Sequence, residues 1–326
     1  MKRILTLCLT ALLMLALVTG CSSTPSETAE TASPEQSADA AAAETAAASE
    51  EASTEPAQEA ETSAEAASES ADTTDFTAMA EEAAASGDSS LSDVLEKGYF
   101  IMGLDDSFPP MGFRDENGEL AGFDVELAQA LAAEMGIEVQ LQPIDWKAKE
   151  LELDGGNIDV IWNGYTITPE RLEAVLMSDP YMKNEQVVVV PADSDIKTLA
   201  DLAGKKVAVQ DGSSAQDAIA ADEELAASLG EQVDFRDNVT ALMDVSSGQT
   251  DALAVDSVVA NYYLAQRPGE FVVLEETLAP EEYGIGFRKA DQALHDAFAA
   301  ALKQMRDDGT AAELSTKWFG QDVTTF

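Results

Sequence analysis

The sequence predicts an α/β protein of two like lobes, and three observations carry that expectation. From Leu91 onward, short apolar runs alternate with amphipathic helical patterns: 99–104, then 123–136, then 139–143, then 158–162. Alternation of this kind argues for a sheet with crossover helices. A second set with the same texture begins at Lys206-Val207-Ala208-Val209-Gln210 and runs through Val233-Asp234-Phe235 to 251–255. The two sets also echo each other in detail. Gly155-Gly156-Asn157-Ile158-Asp159-Val160-Ile161 and Ser247-Gly248-Gln249-Thr250-Asp251-Ala252-Leu253 each place a glycine helix stop and an aspartate before an apolar strand. A polar residue follows each strand, Asn163 in the first and Asp256 in the second. Val187-Val188-Val189-Val190 and Tyr283-Gly284-Ile285-Gly286-Phe287 are then the strands expected to cross between lobes. The last helices, through Lys317-Trp318-Phe319-Gly320, are expected to return to the first lobe.

Ahead of the lobes the chain opens with Lys2-Arg3, an apolar run over 4–18, and Thr19-Gly20-Cys21. The run is too short and too abruptly ended to span a bilayer, and it reads as a secretory signal over 1–20. Small residues directly before a cysteine resemble the lipobox of bacterial lipoproteins. That resemblance implies a lipid on Cys21, anchoring the protein to the outer face of a membrane without spanning it. An ordinary signal peptide with an incidental cysteine is the plainer alternative. Residues 21–87 are dominated by Ala, Ser, Thr, Glu and Pro, with almost no large apolar side chain. Such a segment cannot bury enough surface to offset chain entropy, so a disordered tether is expected. As a flexible coil of about 65 residues it spans roughly 45 Å. The boundaries that follow are 88–186 with 283–326 for the first lobe and 187–282 for the second.

Composition excludes several classes of function. The chain has 326 residues and a formal net charge of −44, and no Lys or Arg occurs between Arg3 and Lys97. Nucleic acid is therefore not an expected partner, since affinity for phosphate backbones rests on basic contacts. Of the two cysteines, Cys8 falls in the signal and Cys21 at its end, which leaves the lobes without a thiol. Metal and cysteine chemistry are not expected, nor is any cofactor. The single histidine, His295, sits in an alternating helical pattern and reads as a surface residue.

One segment carries recognisable chemistry. The apolar strand 158–162 is followed by Asn163-Gly164-Tyr165-Thr166-Ile167-Thr168-Pro169-Glu170-Arg171. Thr168 can cap a helix and Pro169 suits its first position. Free N–H groups at that start, with Thr166 before it and Arg171 in the first turn, make a receptor for a carboxylate. No nucleophile accompanies them. Trp162, inside the strand, reads as core.

Gly122-Phe123-Asp124-Val125-Glu126-Leu127, the 166–171 segment, Ser178-Asp179-Pro180-Tyr181, Asp201-Leu202-Ala203-Gly204-Lys205-Lys206-Val207-Ala208-Val209, Asp308-Gly309-Thr310 and Lys317-Trp318-Phe319-Gly320, in that order, carry a resemblance to the extracellular solute-binding proteins of polar amino-acid ABC transporters, family 3. It implies a two-lobed type II periplasmic-binding-protein fold with two crossover strands, closing on a ligand. It also implies roles by position. Arg171 would take the ligand carboxylate in a two-pronged bond that lysine could not copy. Thr166 and Ser214, from opposite lobes, would meet the same carboxylate. Asp256 and the Gly164 carbonyl would hold the α-ammonium. Asp105, Phe108, Trp146, Asn163 and Tyr165 would read the side chain, with Glu150 a further acidic candidate. Each has a plainer reading: the aromatics as core, Asp105 as a loop brace, Glu150 as solvated charge. The implied function is capture of an amino acid, basic or neutral polar by the acidic cast of these residues, for delivery to ABC permease subunits. A monomer is expected. A dehydratase-like enzyme and a sensory module on the same fold are the alternatives.

Overall fold

The computed structural model of the chain describes residues 74–326. The expected signal, Cys21 and most of the expected tether lie outside the described residues. Two helices precede the first strand, α1 (Phe76–Ser86) and α2 (Ser90–Lys97). The first lobe continues with β1 (Tyr99–Leu104), then β2 (Ser107–Phe108), β3 (Gly112–Arg114) and β4 (Leu120–Ala121), which form a small sheet of their own. Next come α3 (Phe123–Glu134), β5 (Glu138–Pro143), α4 (Lys149–Asp154), β6 (Val160–Thr166), α5 (Pro169–Ala174) and β7 (Leu176–Met177). β8 (Met182–Pro191) leads into the second lobe of β9 (Lys206–Gln210), α6 (Ser214–Ala221), α7 (Glu223–Ser228) and β10 (Glu231–Phe235). That lobe ends with α8 (Asn238–Ser246), β11 (Ala252–Asp256), α9 (Ser257–Gln266) and β12 (Phe271–Val273). β13 (Ala279–Phe287) returns to the first lobe, which α10 (Gln292–Asp307) and α11 (Thr310–Phe319) complete.

The main sheet runs β10-β9-β11-β8-β13-β6-β1-β5. Its two ends repeat one plan. In the first lobe β1 lies between β5 and β6, parallel to both; in the second, β9 lies between β10 and β11, again parallel to both. β6 and β11 are buried along their whole length, as expected for strands covered on both faces. β8 and β13 pair antiparallel between these ends, from Met182 opposite Tyr283 to Gln186 opposite Ala279.

Two sequence expectations are corrected. The crossing pair is Met182–Gln186 with Ala279–Tyr283; Val187 to Val189 already pair with β11, and Gly284 to Phe287 with β6 and β7. Both strands outrun their apolar stretch, because the crossing halves alternate exposed and covered positions. The second correction concerns the end of the tether. Residues 76–86, placed in the disordered stretch, form α1, which packs against α2 and α10. Asp75 caps it by accepting from the Ala78 N–H at 3.0 Å, and Gly87 closes it in the left-handed conformation. Phe76, Met79, Ala80 and Ala83 face the core at helical spacing, a stripe hidden by the polar average around it.

The first-lobe core gathers around Phe298 of α10, which lies 4.9 Å from Phe100, 5.2 Å from Phe287 and 6.2 Å from Trp162 between ring centroids. Phe298→Ala should lower unfolding free energy by about 3–5 kcal/mol in urea titration, the cost of a large cavity among aromatics. Trp162 is core, as expected. His295 is only partly a surface residue, since its ring packs edge-on to Phe287 at 5.4 Å. Among the described residues no helix is long and apolar enough to cross a membrane.

Candidate ligand-binding cleft

The end of β6 organises the cleft between the lobes. Four consecutive residues, Asn163 to Thr166, each touch a different neighbour. Asn163 Oδ1 accepts from the Asp105 N–H at 3.0 Å. Gly164 lies against Phe108; a side chain there would come within 2.7 Å of its ring, and the backbone φ of +56° also favours glycine. The Tyr165 hydroxyl donates to Glu150 at 2.9 Å. Thr166 Oγ1 meets Ser214 Oγ at 3.0 Å.

Arg171 is held at one end of the cleft by the predicted helix start. Thr168 Oγ1 accepts from the Arg171 N–H at 3.2 Å, and Pro169 opens α5. The guanidinium donates to the Thr166 carbonyl at 2.9 Å and stacks 4.6 Å over the Tyr165 ring. It is 6 % exposed, and among the described residues no carboxylate pairs with it. A second buried cation stands close by. Lys149 Nζ donates to the Trp146 carbonyl at 3.2 Å and, across the cleft, to the Gly212 carbonyl at 2.9 Å. Burial, then the neighbouring Arg171, lowers its pKa to about 8. Glu150 pairs with it at 3.4 Å.

Asp105 occupies the far end. Its Oδ1 accepts from the Ser107 N–H at 2.8 Å, and its Oδ2 from Gln210 Nε2 of the second lobe at 2.6 Å. Burial raises its pKa to about 6, against the lowering effect of the Gln210 bond. Asn238 in turn donates to Gln210 Oε1 at 2.9 Å. Asp256, at the tip of β11, lies beneath the remaining side. Its Oδ1 accepts from the Tyr283 hydroxyl at 2.7 Å and from Asn184 Nδ2 at 2.9 Å. Burial first, then nearby Glu281, lifts its carboxyl well above the usual carboxylate range. Gln186 reaches toward the Arg171 end by donating to Ser214 Oγ at 3.1 Å.

The structure therefore brings Arg171, Thr166 and Ser214 to one place, with Asp256 reached from Ser214 through Gln186, Glu281 and Asn184. It regroups the residues expected to read a side chain. Asp105 and Phe108 stand together with Asn163 behind them. Trp146 packs edge-on to Tyr165 at 6.0 Å, and both belong with Arg171 and Lys149 instead. Glu150 is used to brace Tyr165.

Several residues here escaped the sequence reading. Gln210 had a readable signal: it ends β9 as Leu104, just before Asp105, ends the equivalent β1. Asp124 lay within a segment that carried the resemblance but was given no role; its Oδ2 accepts from the Gly164 N–H at 2.8 Å and the Tyr181 hydroxyl at 2.9 Å, fixing the end of β6. Lys149, Gln186 and Glu281 gave no signal.

The lobes are closed on one another. Besides the bonds above, Lys147 pairs with Asp211 at 2.6 Å and Phe113 meets Tyr262 at 5.7 Å between ring centroids. Two α/β lobes on two crossing strands, shut over an unpaired guanidinium and a buried carboxyl, define a two-lobed periplasmic-type binding protein. Residues 100–321 match the family of bacterial extracellular solute-binding proteins, family 3, and the chain belongs to that family. It is 36 % identical over 239 residues to the L-cystine-binding protein TcyJ of Escherichia coli (strain K12), covering 72 % of this chain and 87 % of that protein. It is 34 % identical over 238 residues to the arginine-binding extracellular protein ArtP of Bacillus subtilis (strain 168), covering 72 % and 91 %. Among solved structures, an ABC uptake transporter substrate binding protein from Streptococcus pneumoniae with bound histidine superposes with a TM-score of 0.71 at 40 % identity. That match covers 74 % of this chain and all of the other.

Proposed function

We propose that this protein captures a polar amino acid between its lobes and delivers it to the permease subunits of an ABC transporter. In this reading it acts as a monomer, without chemical turnover, and is held on the outer face of the membrane by a lipid on Cys21. The observation that carries the reading is Arg171. A buried guanidinium with no carboxylate partner is costly, and a second buried cation beside it adds to that cost. A ligand carboxylate seated between Arg171, Thr166 and Ser214 would relieve it and bridge both lobes, so closure follows from preferential binding to the closed state. Capture at micromolar concentration needs about 8 kcal/mol.

The far end favours a basic or neutral polar side chain. Asp105 offers an acceptor, and Gln210 can present either its carbonyl or its amide. The relatives named for cystine, arginine and histidine all bind ligands with a nitrogen remote from the α-carbon, which agrees. A thermal-shift screen of the L-amino acids, with cystine and ornithine added, tests the reading; stabilisation by glutamate alone would overturn it. Asp105→Asn should weaken a cationic ligand by about 1.5–3 kcal/mol, the worth of a bond to a charged group, while glutamine binding changes little. Calorimetry with arginine and glutamine separates the two. Cys21→Ala should release the protein from cells into the medium; retention on the membrane would count against the lipid anchor.

A further inference from the structure

The amino end of the cleft holds one carboxyl group more than a single ammonium needs. Glu281 lies on the crossing part of β13, opposite Asn184 of β8. Its Oε1 accepts from Asn184 Nδ2 at 2.6 Å and from Gln186 Nε2 at 2.8 Å. The same Asn184 nitrogen donates to Asp256 Oδ1 at 2.9 Å, so one amide bridges two carboxyl groups. The oxygen of the same Gln186 amide, Oε1, is buried and has no hydrogen-bond partner among the described residues. Asp256 is shut inside, whereas Glu281 is half-buried and lines two open clefts of about 610 and 590 Å³ on either side of β13.

Among the described residues no Lys or Arg is ion-paired with Asp256 or Glu281, although Lys183 lines the first of these clefts beside Glu281. From β13, Tyr283 faces Asp256, with Tyr181 and Asp124 behind it. From β8 the facing groups are the uncharged amides of Asn184 and Gln186; Lys183 and Glu185 of β8 and Glu282 of β13 lie at the alternate, exposed positions. From α6 come Ser214 and, at the rim of one cleft, Asp217; from α9, Ser257, which donates to Asn184 Oδ1. Two adjacent carboxylates without a cation do not both ionise readily, and one proton between them is the ordinary outcome.

We propose that Asp256, bridged to the neighbouring carboxylate of Glu281 through Asn184, holds a proton in the unliganded cleft, and that an arriving ligand ammonium displaces it to solvent and is then held by both side chains. The inference rests on the reading of this cleft as an amino-acid site. In the exchange the O–H bond on Asp256 breaks, the proton passes to water, and the ammonium keeps its three hydrogens and its charge. Both carboxylates then face it, with Gln186 Oε1 as a further acceptor. Burial of Asp256 acts in the same direction. Glu281 thereby becomes a binding residue of the crossing strand, and affinity becomes linked to pH.

The test is calorimetry on the full chain with L-arginine and L-cystine between pH 5 and 7, in buffers of differing ionisation enthalpy. Wild type should release close to one proton from this pair and bind up to about tenfold tighter per pH unit. Asp105, the other raised carboxyl of the cleft, contributes equally to wild type and to Glu281 variants, so their difference isolates the pair. Glu281→Gln should lose that proton and flatten the pH slope, while Glu281→Asp should keep both. A purely structural role would lower affinity at every pH and leave the slope intact. A wild-type slope in Glu281→Gln, or no proton released by wild type, overturns the pair alone. Failure of wild type to bind any amino acid, cystine included, overturns the amino-acid site with it.

Discussion

Arg171→Ala is expected to weaken amino-acid binding at least a hundredfold in calorimetry. The guanidinium is anchored by the Thr166 carbonyl and backed by the Tyr165 ring, so it is set in place before a ligand arrives. Removing one partner of a buried charge pair costs about 3–5 kcal/mol, because the other charge is left uncompensated in a dry site. At about 1.4 kcal/mol per factor of ten that is roughly two to three and a half orders of magnitude. Arg171→Lys should recover only a small part, since an ammonium cannot make two parallel bonds to a carboxylate. The variant must be shown to be folded by its melting curve, because the Thr166 bond is lost as well. Wild-type affinity in a folded Arg171→Ala protein would remove the carboxylate from this end of the cleft.

The second large effect concerns stability. Asp124 lies at the core of the first lobe, fully buried, accepting from Gly164 and Tyr181 through Oδ2, with Trp162 beside it. Burial raises its pKa from 3.8 to about 7. The sign follows directly. Between those values the unfolded chain ionises Asp124 and the folded chain does not, so stability falls as pH rises, by about 1.4 kcal/mol per unit. Across the whole window the loss is about 4 kcal/mol. Asp124→Asn keeps an oxygen for both donors and cannot ionise. Its urea-unfolding free energy should therefore lose about 4 kcal/mol less than wild type between pH 4 and 8. Asp105 and Asp256 titrate in both proteins and cancel in the comparison. Parallel curves for the two proteins would mean that Asp124 is already charged in the fold.

What was legible in the sequence was local. The run from Asn163 to Arg171 could be read because strand, turn, cap, proline and arginine follow one another within ten residues, and each has its own stereochemical preference. The two-lobe plan was legible because the same succession of helix, glycine, aspartate and strand occurs twice. The boundary at α1 was missed for a physical reason: four apolar positions at helical spacing do not stand out from a long Ala- and Glu-rich background. Gln186 and Glu281 lie on crossing strands whose partner residues are 28 and 95 positions away for the Ser214 and Gln186–Glu281 bonds. No local pattern marks such pairings; they appear only when the sheet is assembled. Trp146 and Tyr165 stand beside Lys149 and Arg171, and an aromatic in a sequence carries no label for which neighbours it will meet.

The closing turn of β6 has an evolutionary consequence. Because Asn163, Gly164, Tyr165 and Thr166 each address a different neighbour, the strand works as a fixed ruler laid along the cleft. Inserting or deleting one residue there would reassign all four contacts together and lose Arg171 from its place. New specificities must therefore arise off the ruler, at the groups that face it from elsewhere, such as Asp105, Gln210 and Lys149. Relatives with different ligands should keep the ruler's backbone and differ across the cleft from it, and grafting those facing residues, not the strand, is the route to changing what this protein holds.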